Sequence, residues 1–195
     1  SGKQVDYCGE LIQFKQGGIE FEARQNIPIA VVARGPRVLE MGGRVADGVM
    51  IASMASPEAV RWGIRRVELG AEKENRSIID IELSTMLYTS ISDDSEAARH
   101  IVRRGIAAAL MGSFPVYHFL EASGLTVPTN LWQLLEAKTS DYQLLMDAIP
   151  DEFVDHLSLA GTPQQCAKQI EKIVEIGIRH INLAPLPVDE VNVES

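Results

Sequence analysis

The sequence is poor in the residues that build metal and redox centres. It has 2 cysteines and 4 histidines in 195 residues. Cys8 and Cys166 stand far apart, in no C-x-x-C pair and no zinc spacing. That excludes a disulfide framework and points to reduced thiols in a cytosolic compartment. His100, His118, His156 and His180 make no H-E-x-x-H or other metal spacing, so no metal site is expected. G-x-S-x-G, P-loop and G-x-G-x-x-G patterns are all missing. No apolar run approaches the ~18–20 residues of a membrane span, so no membrane partner is expected. The first residues, SGKQVDYCGE, carry no signal-peptide pattern and no initiator Met, which reads as a piece of a longer chain. Positive charge is also short: 18 bases against 27 acids leave a formal charge of −9. A sequence-independent nucleic-acid binder needs a basic surface, so nucleic acid is excluded as the main partner.

What is present is a globular composition. Apolar residues make up 46% and charged residues 23%, enough to bury a core without disulfides or metal. We read 1–195 as a single domain. Turn signals around Leu11–Phe14 suggest a short hairpin. The run 27–33, IPIAVVA, then reads as a strand buried on both faces. Gly35-Pro36 opens a helix that Gly42-Gly43 closes. A second buried strand spans 47–53, with Asp47-Gly48 as its entry turn. Ser56-Pro57 starts a helix with Val60, Ile64 and Val67 on one face, ended by Gly70. A third strand lies within 77–91, and Ser92-Asp93-Asp94 caps the next helix. Residues 105–156 break the rhythm and read as a helical insertion. Thr162-Pro163-Gln164-Gln165 is a capping box, and 180–185, HINLAP, is the last strand. The segments from Ser53 to Gly70 and from Ser158 to Gly177 resemble each other, as a βα repeat would. Strand–helix alternation with buried strands predicts a parallel sheet.

The best candidate for chemistry is the turn Ala33-Arg34-Gly35-Pro36-Arg37. A strand runs straight into a helix start, whose free N–H groups and dipole attract phosphate. Gly35 admits a close ligand, and Arg34 and Arg37 supply charge and paired hydrogen bonds. Ligands in α/β folds gather at the C-terminal ends of strands. That rule adds Ser53, Thr85 and Thr89 as partners for a polar ring. Glu82, if it faces the sheet mouth, and His118, beside aromatics in the insertion, are the candidates for a substrate pocket. No catalytic residue is assigned.

Three stretches together resemble the bacterial luciferase-like superfamily. They are IPIAVVARGPRVLEMGGRVADGVMIAS, LSLAGTPQQCAKQIEKIVEIGIRHINLAP and VDYCGELIQF. More narrowly, they look like the branch that uses coenzyme F420, an 8-hydroxy-5-deazaflavin, and includes methylenetetrahydromethanopterin reductase. The resemblance implies an α/β TIM-type (β/α)8 barrel, of which this chain is the C-terminal half, strands five to eight. It implies an oxidoreductase that moves hydride between reduced cofactor and a substrate carbon. It places the cofactor phosphate at Ala33–Arg37, with Ser53 near. Two other readings stay open: an FMN-dependent monooxygenase of the same superfamily, and a non-catalytic half-barrel that serves as an assembly module. A half-barrel leaves open edges, so pairing with a missing N-terminal half or a homo-oligomer is expected.

Overall fold

A computed structural model describes residues 4–21, 24 and 26–188. The first three residues of the N-terminal segment read above lie outside the described residues. The chain opens with an antiparallel pair, β1 (Val5–Cys8) and β2 (Gln13–Gly17), where the hairpin was expected. Next come β3 (Ala30–Ala33), α1 (Pro36–Val45), β4 (Gly48–Ala52), α2 (Pro57–Lys73) and, after a short 3-10 turn, β5 (Glu82–Ile91). Five helices follow: α3 (Ser95–Ser113), α4 (His118–Ala122), α5 (Thr129–Glu136), α6 (Tyr142–Ala148) and α7 (Asp151–Leu157). The chain then returns through β6 (Ser158–Gly161), α8 (Pro163–Val174) and β7 (His180–Pro185). Among the described residues, no helix is long and apolar enough to cross a membrane.

All pairing within the second sheet is parallel. β5 is the hub. Ser84–Met86 pair with β4 and with β7 at once, so those two strands take opposite edges of β5. Tyr88 and Thr89 pair with β6 and β7 at once, so β6 continues the edge that β4 occupies lower down. The through-going order is therefore β3-β4-β5-β7, which follows the chain. This is the arrangement of consecutive units in a parallel barrel. β6 was not expected as a strand. Its four residues are too few to show a period, and only the long β5 gives them a partner.

Two glycine signals change meaning in the structure. Gly42-Gly43 and Gly70 read as helix stops, yet both lie inside helices. The reason is packing. A methyl group on Gly43 would sit 1.9 Å from the Val67 carbonyl oxygen, and one on Gly70 would sit 1.9 Å from that of Glu40. α1 and α2 thus touch backbone to backbone, with Val49 and Ile51 of β4 packed against Gly42 and Gly63. The helix expected after Ser92-Asp93-Asp94 runs on to Ser113, so residue 105, read as the start of the insertion, falls inside α3 and not at a boundary between elements. Asp94 caps α3 and Thr162–Gln165 forms the full capping box on α8, as the sequence motifs indicate.

Candidate functional site

Arg34 follows the last residue of β3, and Ser53 follows the last residue of β4. Both therefore stand at the C-terminal end of the sheet, side by side. The Arg34 Nη1 group donates to Ser53 Oγ at 3.4 Å. Ser53 is 1% exposed and holds a left-handed backbone, φ 58°. A non-glycine residue in that region is uncommon and tends to mark a functional constraint. Its N–H donates to the Met86 carbonyl, which fixes it to β5.

α1 starts at this corner. Gly35 is its N-cap and gives no side-chain cap; Pro36 occupies the first turn. No heavy atom lies within 4 Å of where a Gly35 side chain would begin. The backbone at Gly35 is thus open to close approach by a ligand. Among the described residues, neither Arg34 nor Arg37 has a carboxylate within salt-bridge range. Arg34 is half-buried and Arg37 exposed.

The helical insertion covers the same end of the sheet. The Arg34 guanidinium carbon lies 5.9 Å from the centre of the Phe119 ring in α4. Its Nη2 lies against Gly112, in the last turn of α3. Just after β4, the N–H groups of Ala55 and Ser56 donate to the His156 carbonyl of α7. Ser56 Oγ and Ser123 Oγ approach to 3.5 Å. The insertion is thus pinned above β3 and β4.

The other sequence candidates fall elsewhere. Glu82 opens β5 and so stands at the opposite, N-terminal end of the sheet, hydrogen-bonded to His180 Nδ1. It does not face the mouth, because its place at the start of a parallel strand puts it a full strand length from Arg34. His118 begins α4 next to Phe119, but its Nδ1 lies 3.3 Å from Glu121 Oε2 at the surface. The Thr85 hydroxyl donates to the Ile51 carbonyl at 2.8 Å and the Thr89 hydroxyl to the Leu87 carbonyl at 3.0 Å. Thr85 thus ties β5 to β4, and Thr89 bonds back within β5, so both hydroxyls are already engaged. Phe119 escaped the sequence reading. The aromatic run from Phe114 to Phe119 was its only local signal, and its relation to Arg34 spans 85 positions.

The sequence pattern of the luciferase-like monooxygenase family matches residues 1–180. The 5,10-methylenetetrahydromethanopterin reductase of Methanolobus tindarius is 27% identical over 182 residues, covering 93% of this chain and 55% of that protein. Among solved structures, the coenzyme F420 dependent tetrahydromethanopterin reductase of Methanopyrus kandleri superposes with a TM-score of 0.77 at 22% identity. That match covers 96% of this chain and 54% of that one. An F420-dependent secondary alcohol dehydrogenase superposes with a TM-score of 0.70 at 18% identity, covering 97% of this chain and 52% of that one. The chain spans about half the length of the curated relatives it matches. With that pattern matched over residues 1–180 and a parallel sheet in chain order, the chain belongs to the luciferase-like monooxygenase family.

Proposed function

We propose that this chain forms the C-terminal half of a (β/α)8-barrel oxidoreductase that binds coenzyme F420 at the Arg34 corner, in the manner of the reductases it is similar to. The bound deazaflavin supplies hydride chemistry at its ring. This chain's part is to hold and orient it. The first-turn amides of α1 and the Arg37 guanidinium take the phosphate, Gly35 lets the backbone come close, and Arg34 adds charge from the strand end. Ala33 is buried and closes the floor of the corner. Ser53 and the insertion form the wall. We place the enzyme in the cytosol, with four further βα units, from a longer chain or another copy, completing the barrel.

One observation carries this reading. In a chain of net charge −9, a half-buried arginine lacks any acidic partner among the described residues, beside a helix N-terminus with no side-chain cap. Cations in such settings are normally paired. An anionic ligand supplies the missing charge, and a deazaflavin phosphodiester fits that chemistry. The test is to titrate the chain with coenzyme F420 and with FMN, following cofactor fluorescence. Preferential binding of coenzyme F420 is expected, with affinity falling at least about tenfold, or 1.4 kcal/mol, in an Arg34→Ala/Arg37→Ala variant. Unchanged affinity in that variant would overturn the assignment. Preference for FMN would move the chain to the oxygen-using side of its family.

A further inference from the structure

The insertion's aromatic side chain under Arg34 has a function of its own. We infer that Phe119 is a positioning residue: its ring and the Ser53 hydroxyl clamp the Arg34 guanidinium at the strand-end corner and leave its other N–H groups available to an anion bound there. This rests on the anion-binding reading of the corner given above.

A guanidinium has five N–H donors, and among the described residues the one side-chain hydrogen bond of Arg34 goes to Ser53 Oγ. A long side chain held by one 3.4 Å hydrogen bond would sample many rotamers, and an anion would have to order it on binding. The Phe119 ring removes much of that freedom. A guanidinium within about 6 Å of a ring centre is attracted by the negative face of the ring, more strongly where water is excluded. The ring neither neutralises the charge nor occupies a donor, so the cation stays available to a ligand. A carboxylate in the same place would hold Arg34 equally well and abolish anion binding.

The platform itself is rigid. Phe119 is 1% exposed, and Tyr117 packs edge-on against it at 6.1 Å. The end of α4 meets the start of α2, where Ser123 Oγ and Ser56 Oγ approach to 3.5 Å. On the other side, the left-handed backbone of Ser53 aims a hydroxyl from a residue whose N–H is fixed to β5. Two walls from distant segments thus define one direction for Arg34. A pre-ordered cation binds its ligand without paying the ordering cost at the moment of binding.

Phosphate binding distinguishes positioning from simple packing. The probe is inorganic phosphate, which needs only this corner, and the readout is 31P line broadening on titration with the 195-residue chain. Phe119→Leu keeps most of the volume and removes the ring face. It should raise the dissociation constant for phosphate about tenfold, whereas Phe119→Tyr, which keeps the ring face, should stay within about twofold of the unsubstituted chain. In an Arg34→Ala background, Phe119→Leu should cause no further loss, because its target is gone. Phosphate affinity unchanged by Phe119→Leu, or lowered equally with and without Arg34, overturns the inference. Unchanged affinity in Arg34→Ala alone overturns the anion-binding reading together with it. Thermal melting of each variant identifies a loss caused by unfolding. If Phe119→Leu fails to fold, Ser53→Ala carries the same test: a severalfold loss that depends on Arg34 supports the clamp, and an effect independent of Arg34 sinks it.

Discussion

At the scale of single residues, burial decides which polar groups respond to pH. Tyr117 is 6% exposed among Phe114, Phe119 and Trp132, and its hydroxyl has no hydrogen-bond partner among the described residues. Burial pushes its pKa up from 10.0 to about 12. The sign follows from which state ionises first. Below pH 10 both folded and unfolded chains hold the proton and nothing is lost. Above it the unfolded chain ionises preferentially, so stability falls as pH rises from 10 towards 12, by an amount on the order of 2–3 kcal/mol. Tyr117→Phe should abolish that part of the alkaline loss while leaving stability at pH 7 unchanged or improved, since it removes an unpaired buried hydroxyl. Urea midpoints at pH 9 and pH 11 for the two proteins check this; equal alkaline losses in both would contradict it. Cys166 follows the same rule: burial raises its thiol pKa and leaves it an inert core residue.

At the scale of elements, the crossing of α1 and α2 holds the candidate site in place. α1 presents its N-terminus at the corner, and its angle is set by Gly43 lying on Val67 and Gly70 lying on Glu40. Around that contact, Glu40 accepts hydrogen bonds from Lys73 and Arg66, which together hold its carboxyl below the usual value, Lys73 having the larger effect. The ion pairs are exposed and add little. The glycines matter more, because a methyl group at 1.9 Å from a carbonyl oxygen forces the helices apart. Gly43→Ala should destabilise the chain by about 3 kcal/mol, at the upper end of overpacking costs. It should also weaken anion binding in whatever fraction stays folded. Chemical denaturation measures the first effect; a loss below about 0.5 kcal/mol would show that the helices can separate freely.

At the scale of the whole molecule, the sheet is open. Among the described strands, β3 pairs only with β4 and β7 only with β5. Val32 on β3 is 56% exposed and Leu183 on β7 is 49% exposed. Val38, Met41 and Val45, at helical spacing, form an exposed apolar stripe on α1. Unpaired parallel edges with apolar flanks seek partners. In relatives twice as long, the rest of the protein is available to cover them. Studied alone, this chain should therefore sediment well above its 21.4 kDa monomer mass at micromolar concentration. Placing a charge on each edge, Val32→Lys with Leu183→Lys, should return it towards the monomer. A monodisperse monomer of the unsubstituted chain would refute this.

Much of this architecture is written locally. Short apolar runs mark β3 and β4, but only β4 is largely buried: the strand expected over 27–33 to be covered on both faces is confined to Ala30–Ala33 and leaves Val32 56% exposed, because β3 is an edge strand among the described residues. Helix starts show as Ser56-Pro57, Asp94 and Thr162-Pro163, and the Arg34–Arg37 corner as a strand that meets a Gly-Pro helix start. Each depends on residues within a few positions, so a linear reading reaches them. Gly43 and Gly70 look like stops until a second helix is laid against them. Glu82 qualifies for a substrate pocket only if it faces the mouth, and its place at the start of β5 puts it at the far end. Phe119, Ser53 and Arg34 converge only when β3, β4 and α4 are packed, because a cation–ring contact across 85 residues leaves no periodicity in the sequence. Chemistry that acts between neighbours along the chain is encoded locally; the clamp on Arg34 acts between neighbours in space, and folding alone brings those together.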